Sequence, residues 1–100
     1  MSFHARTLLT IVTEALLEKD LIELFLIKQV RGWTIGEARG NGAHGEKRGT
    51  FDANQNIKIE VVAEASILET LAEEIQHKFG EDYALVQWFS DVRVLRGEKF

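Results

Sequence analysis

The chain has 100 residues, 45% of them hydrophobic and 28% charged, which is the composition of one compact globular domain and not of a disordered segment. Twelve basic against sixteen acidic residues give a formal net charge of −4, and that balance argues against general affinity for nucleic acid. The absence of cysteine excludes disulfide frameworks, thiolate metal sites and cysteine nucleophiles.

The longest purely apolar run, Leu24 to Ile27, is too short to cross a bilayer. The N-terminal stretch from Met1 to Arg6 lacks the apolar core of a secretory signal, so a cytoplasmic location is expected. In chain order, Thr7 to Thr13 is apolar and β-branched, the pattern of a strand buried on both faces. Leu17 to Val30 places Leu17, Leu21, Leu24, Phe25 and Ile27 on one helical face, with Gly32 as its stop. Trp33 to Arg39 alternates as a weaker strand.

Proline is absent, and six of the eight glycines fall between Gly32 and Gly49. Gly40 to Asn56 is therefore read as a long irregular loop, the kind that is usually functional or disordered. Ile57 to Glu64 then alternates as a strand with one buried face. Ser66 and Glu69 have the spacing of a capping box, and Leu68, Leu71, Ala72, Ile75 and Phe79 follow at helical spacing until Gly80. Ala84 to Leu95 returns to strand, with Val86, Trp88, Val92 and Val94 in one phase.

The order β-α-β, long loop, β-α-β predicts an α+β, ferredoxin-like βαββαβ domain over residues 1–100. Four antiparallel strands would carry both helices on one face. Trp33 and Trp88 are expected on the other face, and covering so apolar a surface favours self-association.

Chemistry concentrates in two places. Gly40-Asn41-Gly42 offers successive backbone N–H groups for an anion, and His44, Lys47 and Arg48 add cations for phosphate oxygens. The same run also reads as a soluble hairpin with no ligand, and pattern alone leaves both readings open. Arg93, Arg96 and Lys99 form a second basic group, with Arg96 beside Gly97. His4, His44 and His77 show no metal-ligand spacing, and no Ser/His/Asp arrangement can be assembled. An RNA-binding version of this fold would need aromatics on the third strand, where Ile57-Lys58-Ile59-Glu60-Val61-Val62 has none.

The run Gly32-Trp33-Thr34-Ile35-Gly36-Glu37-Ala38-Arg39-Gly40-Asn41-Gly42, paired with Asn56 to Val62, resembles the second and third strands and the T-loop base of the PII signalling superfamily. The stretches Phe79 to Ala84 and Val94 to Phe100 are more similar to the PII-like branch that holds SbtB and the carboxysome-associated PII proteins. The resemblance covers essentially the whole chain. It implies a homotrimer that binds adenine nucleotides in clefts between subunits, with a T-loop at about 40–56 that changes order and docks on a partner.

By that resemblance Thr34 and the backbone at Val62 read adenine, while Gly40 and Gly42 let the loop base fold over sugar and phosphate. Arg96 takes a phosphate, and Gly36, His44, Lys47, Arg48 and Arg93 complete the set. Gly80-Glu81-Asp82-Tyr83 replaces the lysine-bearing phosphate loop of most PII proteins, which favours AMP or ADP over a triphosphate. The T-loop tyrosine modified in some relatives is missing. His44 and Lys47 stand where SbtB-type proteins have arginines, which leaves cyclic AMP open as a ligand.

The resulting expectation is a non-enzymatic regulator without a prosthetic group or metal. Its partner would be a membrane bicarbonate transporter or a carboxysome-linked protein, with bicarbonate as a further ligand. The alternatives are a weak nucleotide hydrolase on the same cleft and a structural trimer whose loop ignores ligands.

Overall fold

A computed structural model describes residues 1–40 and 55–100. In chain order it contains β1 (His4–Glu14), a 3-10 turn (Ala15–Leu17), α1 (Glu18–Ile27), β2 (Thr34–Ala38), β3 (Asn56–Ala63), α2 (Ala65–Phe79), β4 (Leu85–Val94) and a second 3-10 turn (Gly97–Lys99). The strands form one sheet in the order β2-β3-β1-β4, antiparallel at every pairing. This is the expected ferredoxin-like plan, with both helices on one face.

Strand periodicity decides which side chains reach the helices. Leu9 and Ile11 of β1, and Ile57, Ile59 and Val61 of β3, point to one face and are buried there. They meet Leu21, Leu24 and Phe25 of α1 and Leu68, Leu71 and Ile75 of α2 in one core. The opposite face of β1 is less covered. Leu8 and Val12 are half-buried, so within one chain β1 is not closed on both sides as its composition suggests.

Several local expectations are corrected. Ile27 is exposed, because α1 ends there and its last turn rolls that side chain out of the core. Gly32 does not stop the helix. Gln29 does, at φ 60°, with its N–H donating to the Leu26 carbonyl at 3.1 Å and the Val30 N–H to that of Phe25 at 2.9 Å. That pair of bonds is a Schellman ending, sealed by buried Val30 following Gln29. The Ser66–Glu69 capping box does not form: Glu64 is the N-cap and α2 starts at Ala65, two residues earlier than a Ser66 cap requires, which puts Ser66 inside its first turn. The Ser66 carbonyl instead accepts from the Thr70 hydroxyl at 3.1 Å.

Trp33 lies outside the open sheet face. It packs on the core, its ring 5.3 Å from that of Phe25 and tilted by 50°. Trp88 is on the open face as expected, half exposed beside Val86. Gly80 caps α2, but in right-handed backbone; a Cβ there would lie 2.5 Å from the Gln76 carbonyl oxygen, so close approach explains the glycine. The α2–β4 connection is tied to the end of β1. The Thr13 hydroxyl donates to the Ala84 carbonyl at 2.7 Å, and the Ala84 N–H donates to Glu14 at 2.8 Å.

Candidate nucleotide cleft at the end of strand three

The register between β2 and β3 begins at Thr34 opposite Glu60 and runs through Gly36 opposite Lys58. β3 continues past that first pair to Ala63, so at Val62 the outer sheet edge has no β2 residue beside it. Backbone groups on such an edge are available to a flat hydrogen-bonding ligand. A small cleft opens at this place, lined by Val30 and Arg31 from the α1–β2 connection, by Val62 and Ala63, and by Phe100.

Thr34 and Gly36 are exposed on the same sheet face as Val62, nearer the T-loop base, and Gly40 follows at its start. A Cβ at Gly36 or Gly40 would meet nothing within 4 Å, and neither has positive φ. The fold itself therefore does not demand glycine at either position. A glycine inside a strand weakens it, and it commonly marks a place where something else approaches the backbone.

The basic residues separate into two groups. Arg96 leaves β4 and pairs through its Nε with Glu98 at 3.1 Å, both side chains being 68% exposed. The Glu98 carboxyl is held below the usual carboxylate range, first by its own backbone N–H and then by Arg96. Arg93 points elsewhere. Its guanidinium lies 5.3 Å from the centre of the Phe3 ring, and it lines an open groove of about 650 Å3 with Arg6, Glu64 and Asp91. Arg93 thus lines this groove and not the Val62 cleft, although Glu64 lines both. Gly42, His44, Lys47 and Arg48 lie outside the described residues.

Gly97, beside Arg96, leaves no open approach for a phosphate. Its space is filled by His4: a Cβ there would lie 2.8 Å from the imidazole Cγ. Sequence reasoning also missed Arg6 and Arg31, which fasten the segment after β4. The Arg6 Nε donates to the Phe100 carbonyl and its Nη2 to that of Gly97, each at 3.0 Å, and Arg31 donates to the Glu98 carbonyl. Arg6 carried a faint signal, being a charge leading into an otherwise apolar strand; Arg31 carried none. Among the described residues, no three His, Asp or Glu side chains group as a metal site, and no helix is long and apolar enough to cross a membrane.

The nitrogen regulatory protein P-II family model matches residues 6–99. The chain is similar to a PII-like signaling protein of Thermus thermophilus, with 32% identity and a TM-score of 0.83 over 100% of this chain and 99% of that one. It is also similar to CPII, a nitrogen regulatory PII-like protein of Thiomonas intermedia solved with ADP, AMP and bicarbonate. There the identity is 27% and the TM-score 0.82, over 99% of this chain and 96% of that one. With nearly its whole length matched, the chain belongs to the P-II family.

Proposed function

We propose that this protein is a regulatory homotrimer that binds AMP or ADP between subunits and reports the bound ligand through its T-loop. The observation that carries the reading is the uncovered β3 edge at Val62, close to exposed Thr34 and to two glycines the fold does not require. CPII, which binds ADP, AMP and bicarbonate, supports the same ligand class for this chain. Thr34 and the Val62 backbone read the base, and Gly36, Gly40 and Gly42 let the loop base close on the sugar. His44, Lys47, Arg48, Arg93 and Arg96 supply charge for phosphates across a subunit boundary. Trimer contacts use the open sheet face around Val86 and Trp88.

The link to inorganic carbon follows from bicarbonate in CPII and from the resemblance to the SbtB and carboxysome-associated branch. On this reading a cytoplasmic trimer docks its T-loop on a bicarbonate transporter or a carboxysome-linked protein. A ligand shifts the loop only by its difference in affinity for the two loop states.

The test is calorimetric titration with ADP. Each phosphate contact to an arginine or lysine is a charge-assisted bond of roughly 1.5–3 kcal/mol, equivalent to about a 10- to 150-fold change in affinity. Arg96→Ala and the double variant Lys47→Ala with Arg48→Ala should each weaken ADP by that order. Unchanged affinity in both would show the phosphate contacts to be wrongly assigned.

A further inference from the structure

β1 ends at Glu14, and its register makes that residue part of the last rung at one end of the sheet. Glu14 stands opposite Asn56, the first residue of β3, and Asn56 stands opposite Ala38, the last residue of β2. The chain between β2 and β3 carries the T-loop, so both of its strand ends share this rung. At the usual strand spacing Ala38 lies about 10 Å from Glu14. Asn56 is buried there and Glu14 is half-buried.

The end of β1 also holds a second segment. The β1–β4 ladder stops at Thr13 opposite Leu85. Ala84, the next residue, is held by side chains where a further rung would use main chain. The Thr13 hydroxyl donates to its carbonyl at 2.7 Å, and its N–H donates to the Glu14 carboxylate at 2.8 Å. Both bonds are partly buried, and the second is charge-assisted. On its other side the connection is fixed to α2. The Tyr83 N–H donates to the Phe79 carbonyl at 3.1 Å, and the two rings meet edge-on, 6.0 Å apart. Residues 80–84 are therefore tied to α2 at one end and to the T-loop rung at the other.

We propose that Thr13 and Glu14 form a clamp that joins the 80–84 connection to the two strand ends of the T-loop, with Glu14 as its positioning residue. A displacement on either side then reaches the other through one carboxylate. The clamp carries ligand state from the loop base to the α2–β4 connection, a part of the inference that rests on the reading that AMP closes the loop base. Coupling of this kind is a free energy shared by the two places and acts in both directions.

The test moves one side and reads the other by NMR. Gly80→Ala places a Cβ 2.5 Å from the Gln76 carbonyl oxygen and so displaces the connection. Tyr83→Ala, which removes the edge-on ring contact, serves if that variant does not fold. Either should shift the amide resonances of Ala38 and Asn56, and adding Glu14→Ala should cut those shifts by at least half. Glu14→Gln, whose amide oxygen still accepts the Ala84 N–H, should restore most of them. Glu14→Ala alone should speed hydrogen exchange of the Ala84 amide by about 10- to 150-fold, the range for loss of a charge-assisted bond. Shifts at Ala38 and Asn56 that are absent, or equally large with and without Glu14, overturn the clamp, and so does unchanged Ala84 exchange. Saturating AMP should slow Ala84 exchange several-fold in the unaltered protein and not in Glu14→Ala. AMP that binds in calorimetry without such slowing overturns the transmission of ligand state. No AMP binding removes the nucleotide reading, while the ligand-free shifts still decide the clamp.

Discussion

At the residue scale, Gln29 and Glu98 make the clearest predictions. Gln29 holds a left-handed conformation that favours glycine, and its place in the Schellman ending fixes it there. Gln29→Gly is therefore expected to stabilise the protein by about 0.5–1 kcal/mol, or roughly 2–8 °C in Tm for a domain of this size. Calorimetric melting checks this, and a lower Tm would mean that the Gln29 side chain contributes more than its backbone strain removes. Glu98 has a folded pKa lowered from its ordinary 4.5. Its own backbone N–H first and Arg96 second favour the charged carboxylate, so these interactions are complete above that value and are lost as pH falls through the lower folded one. The Glu98 carboxyl carbon, followed by NMR, should titrate below 4.5 and return toward it in Arg96→Ala.

At the scale of elements, the core depends on α1 lying against the sheet through Phe25, which is fully buried with its ring tilted against that of Trp33. Phe25→Ala should lower stability by roughly 3–5 kcal/mol, measured by urea unfolding; a loss under about 1 kcal/mol would mean that the neighbourhood collapses into the gap. The order of elements was legible because each strand and helix carries its own period. Ile57, Ile59, Val61 and Ala63 alternate, and Leu68, Leu71, Ala72 and Ile75 recur as on a helix. Element ends were less legible. Gln29 has no composition that announces positive φ, and Ser66 matches a capping box while lying two positions past the N-cap, Glu64, inside α2. Thr34 and Val62 entered the candidate site only through family resemblance, since neither residue type signals a ligand. Arg31 and Phe100 were hidden because their meeting depends on the chain crossing the end of the sheet, about 70 residues apart in sequence.

For the whole molecule, the open face of the sheet and the edge at β3 lead to one account. Val86 and Trp88 are 45% and 46% exposed in the single chain, on a sheet face that no helix covers. Trp88→Asp, which places a charge there, should convert a trimer to monomers in sedimentation equilibrium. A trimer surviving that change would move the interface elsewhere. The central claim, that adenine nucleotide is the signal and bicarbonate modifies it, is tested most directly by titrating AMP and ADP with and without bicarbonate. The account predicts saturable binding near one nucleotide per subunit, with an affinity that changes when bicarbonate is present. No binding of either nucleotide, under both conditions, would contradict it.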